Sequence, residues 1–160
     1  MATLKAARAL TGVPVRRFAG AGVVQCAWGS YTLAANPTAN DIIQFCRIPA
    51  GATVIGGEFR GEDIDTGTEA LDIDIGWPAN GGTGVGATAD PDGFGNFGTL
   101  DGDAVNFIRP EASIYYPLNG TLKSGPITFD AETIVQGIVN TAANAGGTGV
   151  LWVIVYYTID

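Results

Sequence analysis

The sequence predicts an all-β fold: an antiparallel, jelly-roll-like sandwich or barrel carrying an extended N-terminal arm. Three observations predict it. Eight or nine short runs rich in β-branched and aromatic residues recur along the chain, and that is strand composition. Clusters of turn residues divide them; the 24 glycines and 8 prolines of the chain supply the backbone angles that turns need. Beyond the first residues, no segment sustains a helical period. At 160 residues the chain fits one domain, large enough to fold without a disulfide or a metal.

Residues 1–20 form the arm. The stretch ATLKAARAL, 2–10, has the alanines and leucines for one or two helical turns, and Gly12 and Pro14 stop it. So short a helix is marginal in water, so the segment is expected to order on contact with something else. Residues 21–160 form the β domain. Its candidate strands are 23–32, 41–48, 53–59, 69–76, 104–108, 113–118, 126–129, 132–139 and 150–159. Leu71, Ile73 and Ile75 alternate with Asp72, Asp74 and Gly76, which sends the aliphatics inward and both carboxylates to a solvated face. The run GVLWVIVYYT, 149–158, is apolar on both faces, so it is a central strand or lies at an oligomer interface. Asn119-Gly120 is a hairpin-turn signal. The Gly/Asp-rich stretch 77–103 is too long for an ordinary connection. It holds Trp77, Phe94 and Phe97, and aromatics are depleted in disordered segments. It is expected to pack against a neighbour or over one end of the barrel.

Charge is unevenly spread. Lys5, Arg8, Arg16 and Arg17 precede the first acidic residue, Asp41, so residues 1–17 carry +4. The other four bases against all sixteen acids leave −12 on residues 18–160. A body of that sign repels nucleic acid, so none is expected as a partner. Charged residues make up only 15% of the chain, few for a free surface, which points to a surface covered by partners. No run of 18 apolar residues is present, and no membrane span is expected. The first residues lack the apolar core of a signal peptide. Cys26 and Cys46 lie in apolar runs and are expected as free thiols of a reducing cytoplasm, able to cross-link only if their strands pair.

Groups for catalysis are scarce. The chain has no histidine, which removes the usual general base and the commonest metal ligand. Ser30, Ser113 and Ser124 lie in no nucleophile elbow, and Gly82–Gly86 lacks the lysine of a phosphate loop. The carboxylates Glu62, Asp63, Asp65, Glu69, Asp72 and Asp74 crowd thirteen residues; a glycosidase needs two such groups across a bond, but strand alternation reads more simply as a solvated face. Asp90, Asp92 and Asn96 echo a calcium loop without its ligand spacing. Trp28, Trp77 and Trp152 with five tyrosines could stack on sugars, though Trp152 sits in an apolar run that suits core or interface. No enzyme activity, cofactor or metal is expected.

Several stretches together resemble a group of virion proteins. YTLAANP (31–37) is followed by NDIIQ (40–44), IPAGATV (48–54), DIDT (63–66) and LDIDIG (71–76), and the chain ends on GVLWVIVYY (149–157). This succession is similar to structural and capsid cement (decoration) proteins of tailed bacteriophages; it covers roughly residues 30–76 and 148–158. The resemblance implies a β-rich, often trimeric protein, made in the host cytoplasm. It would sit on the capsid surface, bind the major capsid protein and stabilise the shell. Under that implication the arm is the docking element, with Leu4, Lys5, Arg8, Leu10, Arg16, Arg17 and Phe18 as contacts. Trp77, Phe94, Phe97 and Trp152 are expected at a homotrimer interface. The alternative is a receptor- or glycan-binding virion protein of the head- or tail-fibre type.

Overall fold

The computed structural model describes residues 1–10, 22–100 and 113–159. Within them the chain is strand and turn, in two sheets. The strands are β1 (Thr3–Lys5), β2 (Gln25–Leu33), β3 (Ile42–Ile48), β4 (Ala52–Glu62), β5 (Asp72–Trp77), β6 (Asp90–Gly95), β7 (Ser113–Pro117), β8 (Ile127–Phe129), β9 (Thr133–Thr141) and β10 (Gly149–Ile159). The first sheet runs β1-β3-β9-β5-β6 and the second β2-β10-β4-β7, with β8 also on β4. All pairs are antiparallel except β1 with β3. From β2 to β5 the chain changes sheet at every strand, and it changes again before β7, before β9 and before β10.

Alternation explains the core. On β10, Leu151, Val153, Val155 and Tyr157 are buried while their neighbours in sequence are not. Ile73 and Ile75 of β5 are fully buried, as is Leu71 just before it. The two inner faces meet through Phe45 of β3 and Phe59 of β4, edge to face at 6.4 Å. Two irregularities adjust the pattern. An extra residue near Phe45 lets both Phe45 and Cys46 be buried. Another at Ile55 separates inward Val54 from inward Phe59 and leaves Ile55 exposed. The sheets close tightly beside β2: a side chain at Gly29 would collide with the Phe45 carbonyl, so that position admits only glycine.

Three expectations change. The 2–10 stretch is not a helix of one or two turns; it is strand β1 and a 3₁₀ turn, Ala7–Ala9. Backbone pairing with the edge of β3 satisfies it better than an isolated helical turn would. The 77–103 stretch is not one loop, since β6 runs through it and pairs with β5. Its sequence, DPDGFG, reads as turn, but an edge strand tolerates Pro91. Asn119-Gly120 does not make a hairpin. β7 and β8 both pair antiparallel with β4, at Glu58–Glu62 and Ala52–Val54 respectively, so they run the same way. The Asn-Gly signal marks an excursion between them, through the 3₁₀ turn Thr121–Ser124. The strand expected at 104–108 lies outside the described residues.

Candidate functional site

The arm residues divide. Thr3, Leu4 and Lys5 pair with Ile42, Ile43 and Gln44 of β3. Asp41 accepts from the Ala2 and Thr38 backbone N–H groups at 2.9 and 3.0 Å, and those bonds hold its carboxyl below the usual range. Ala6 and Ala9 are buried, and Leu4 packs partly against the core. Residues 3–5 therefore belong to the first sheet, and Ala6 and Ala9 are seated on the domain rather than in a free arm. Lys5 and Leu10 are exposed. Arg16, Arg17 and Phe18 lie outside the described residues, and Arg8 is placed only by its backbone.

The expected interface aromatics divide too. Trp77 and Phe94 are not at the surface: Trp77 is 1% exposed and Phe94 fully buried. They pack 4.7 Å apart and both face Phe129, and the Trp77 indole N–H donates to the Thr88 carbonyl. Their bulk belongs to the chain's own core. Phe97 is partly buried between Phe59 and Tyr116, with ring centroids 5.8 and 4.9 Å away. Of the four, Trp152 alone lies on an outward sheet face, by the alternation of β10.

That outward face belongs to the second sheet. Register sets Trp152 between Ser30 of β2 and Arg60 of β4, with Tyr115 of β7 beyond. The next row holds Trp28, Ile154, Glu58 and Pro117. The row after it holds Cys26, Tyr156 and Gly56. Trp28 and Ile55 are 43% and 46% exposed. Arg60 and Glu58 form an ion pair; the Arg60 guanidinium sits 5.6 Å from the centre of the Tyr115 ring, and the Tyr156 hydroxyl donates to Glu58 at 3.2 Å. Burial, and then the neighbouring Glu58 charge, push the Tyr156 phenol up.

The crowded carboxylates are spread over both sheets, with Glu62 at the end of β4 and Asp72 and Asp74 on β5, and build no reaction centre. Asp65 is buried and accepts from the backbone N–H groups of Ala70, Leu71, Asn144 and Ala145 at 2.8–3.1 Å. Burial alone would raise its carboxyl, but those four donors outweigh it and hold it at about 2. Asp74 departs from expectation. It faces outward on β5 yet is only 9% exposed, and burial raises its carboxyl despite the Asn140 amide that donates to it. Neighbours on β9 and β6 cover it, which period-two alternation on one strand cannot register. Asp90 accepts from the Thr121 hydroxyl of the 3₁₀ turn that follows β7, and Asn96 accepts from the Gly98 N–H within a local turn. Asp130 ties the 78–89 loop down through the Thr83 N–H and hydroxyl and the Gly84 N–H. Among the described residues no group of three or more His, Cys, Asp or Glu is placed to hold a metal. Cys26 and Cys46 lie on different sheets and are not joined in a disulfide, and Cys26 is exposed rather than buried.

No protein-family model matches the sequence, and no curated protein does. Solved structures do match. A chain of the capsid of Ralstonia phage GP4 is similar with a TM-score of 0.73 at 19% identity, over 99% of both chains. A chain of the cyanophage Pam1 capsid asymmetric unit gives 0.59 at 21% identity, over 96% of both. The acidic stable capsid structure of Helicobacter pylori bacteriophage KHP30 gives 0.52 at 17%, over 86% of this chain and 90% of that one. The chain thus has a two-sheet, all-β fold that occurs in phage capsids.

Proposed function

We propose that the chain is a non-enzymatic virion protein: a capsid cement, or decoration, protein of a tailed phage that binds the major capsid protein on the shell surface. The observation that carries the reading is the end-to-end likeness to a chain of the phage GP4 capsid, with neither chain leaving a domain unmatched. The strand order supports it. Setting β1 and β8 aside leaves β2-β10-β4-β7 against β3-β9-β5-β6, which we read as two Greek keys rolled into a jelly roll.

In this reading the basic N-terminal segment touches the major capsid protein. Lys5 and Leu10 are the exposed contacts among the described residues, joined by Arg8, Arg16, Arg17 and Phe18; Leu4 serves mainly to seat the segment on its own domain. The protein acts as a homo-oligomer, a trimer by the resemblance in its sequence. Shells lacking the protein, mixed with the purified chain, test this. Saturable binding at a fixed number of copies per shell is expected, visible as added density on the shell surface. Replacing Lys5, Arg8, Arg16 and Arg17 by Gln should slow association and flatten its salt dependence while the β spectrum stays unchanged. Shells that take up none of the wild-type chain would overturn the reading.

One observation favours a second reading. Trp28 and Trp152 share an outward face on paired strands, an arrangement able to stack on sugar rings. A glycan-binding virion protein would quench tryptophan fluorescence on titration with host oligosaccharides and would leave bare shells unoccupied.

A further inference from the structure

We infer that the outward face of β2, β10 and β4 is the surface on which a second copy of this chain packs. The inference rests on the oligomeric reading above and names the surface that it needs. The starting point is charge. The paired strands β2 and β10, 9 and 11 residues long, contain no charged side chain. Next to them on β4, Glu58 and Arg60 neutralise each other, and the one further charge of that strand, Glu62, lies at its end, where it accepts from the Val150 N–H. On the opposite sheet, β5 and β6 carry Asp72, Asp74, Asp90 and Asp92 and no base.

The chain as a whole is −8. Two copies meeting through β5 and β6 would set aspartates against aspartates. Meeting through β2 and β10 sets uncharged side chains against uncharged side chains. A cationic partner is drawn the other way, to the aspartates. Charge complementarity therefore assigns the neutral face to a partner that is itself acidic but carries a matching neutral patch, and this chain is such a partner. The side chains agree. Trp28, Trp152, Ile154, Tyr156 and Ile55 stand outward around the Glu58–Arg60 pair. Interface centres are rich in Trp, Tyr and Arg and poor in Lys and unpaired acids. Among the described residues, Trp28 and Ile55 are two of the few large apolar side chains left substantially exposed, and Val23 and Val24, also exposed, lead into β2.

Sedimentation of the wild-type chain and of two variants at micromolar concentration tests the inference. Ile154→Glu puts a carboxylate at the centre of the face, on a side chain that points away from the core. Val85→Glu puts the same charge on a loop residue that is 77% exposed. The wild type and Val85→Glu are expected to sediment as one oligomer, and Ile154→Glu as a monomer with an unchanged β spectrum, a loss of at least tenfold in association. An oligomer that survives Ile154→Glu overturns the inference. So does a wild-type monomer whose tryptophan fluorescence responds to oligosaccharide, because the face then binds sugar. A wild-type monomer that binds shells, and stops binding them on Ile154→Glu, assigns the face to the shell protein instead; the proposed function survives and the second-copy inference fails. Failure of the wild type to bind shells, with the Ile154→Glu effect on association intact, sinks the proposed function and leaves this inference standing.

Discussion

The two sheets present opposite outward faces. Between them, β2 and β10 of the second sheet carry no charge at all, while β5 and β6 of the first carry four aspartates and no base. Their inward faces are alike, aliphatic and aromatic, and merge into one core. The difference teaches what strand alternation can determine. It decides which side chains face in, because the core accepts only apolar groups. It says nothing of what the outward side chains meet, because water, a neighbouring loop and a second subunit each accept different ones. Tryptophan shows the contrast most sharply: Trp77 lies inside and Trp152 on the neutral outward face.

Exchanging those two tryptophans for alanine is the largest test of the comparison. Trp77→Ala should cost about 3–5 kcal/mol of stability, the usual result of removing a large buried aromatic. Trp152→Ala, unfolded at a dilution where the chain is monomeric, should cost about 1 kcal/mol or less, because its side chain contributes little to the core. Denaturant titrations of both variants check this. Similar costs at the two positions would mean that the outward face is already packed within one chain.

The next effect separates two buried carboxylates. Asp65 has its carboxyl lowered from 3.8 to about 2 by four backbone donors. A lowered folded-state pKa contributes stability above pH 3.8 that is lost as pH falls towards 2. Asp65→Asn leaves some of those donors facing an amide –NH₂, so it should cost about 1–3 kcal/mol at neutral pH. The cost should shrink as the pH falls through 3.8 towards 2, where the wild-type carboxyl takes up its own proton. Melting temperatures of both proteins from pH 7 down to pH 2 should converge; parallel curves would show that the backbone donors do not hold the carboxylate.

Much of this was legible in the sequence. Eight of the nine expected strands fall on described residues, and each overlaps an observed one, because β-branched runs between glycine and proline turns carry a strong local signal. The aliphatics of LDIDIG point inward as alternation requires. β1 and β6 were not legible. TLK is too short for a pattern, and DPDGFG has turn composition; both are strands because an edge was open beside them. The burial of Trp77 and Phe94 was hidden for a related reason: their partner Phe129 is 52 and 35 positions further along, a contact that only the packing of one sheet on the other creates. Trp152 stood out because its strand is apolar on both sides, and that signal needs no tertiary information. Trp28, its companion on the outward face, was visible only as one of three tryptophans until the register of β2 against β10 set the two side by side.

The smallest expected effect lies at Asp74, the outward-facing carboxylate that the acidic face covers. Burial raises its carboxyl, and the charges of Asp72 and Asp92 add to the rise, against one amide from Asn140. The sign is opposite to that at Asp65. When the folded-state pKa stands above the unfolded one, folding favours the protonated form. Stability is then greatest below pH 3.8 and declines as the pH rises through the folded-state value. Asp74→Asn removes the titration and keeps an oxygen to accept from Asn140. At neutral pH the variant should therefore be as stable as the wild type or slightly more so, a shift of a few degrees at most. Below pH 3.8 the two should coincide. Thermal melts at pH 3 and pH 7 measure the difference directly. A variant less stable than the wild type at pH 7 would mean that the ionised carboxylate has partners strong enough to repay its burial, and that the acidic face is held together by its charges rather than strained by them.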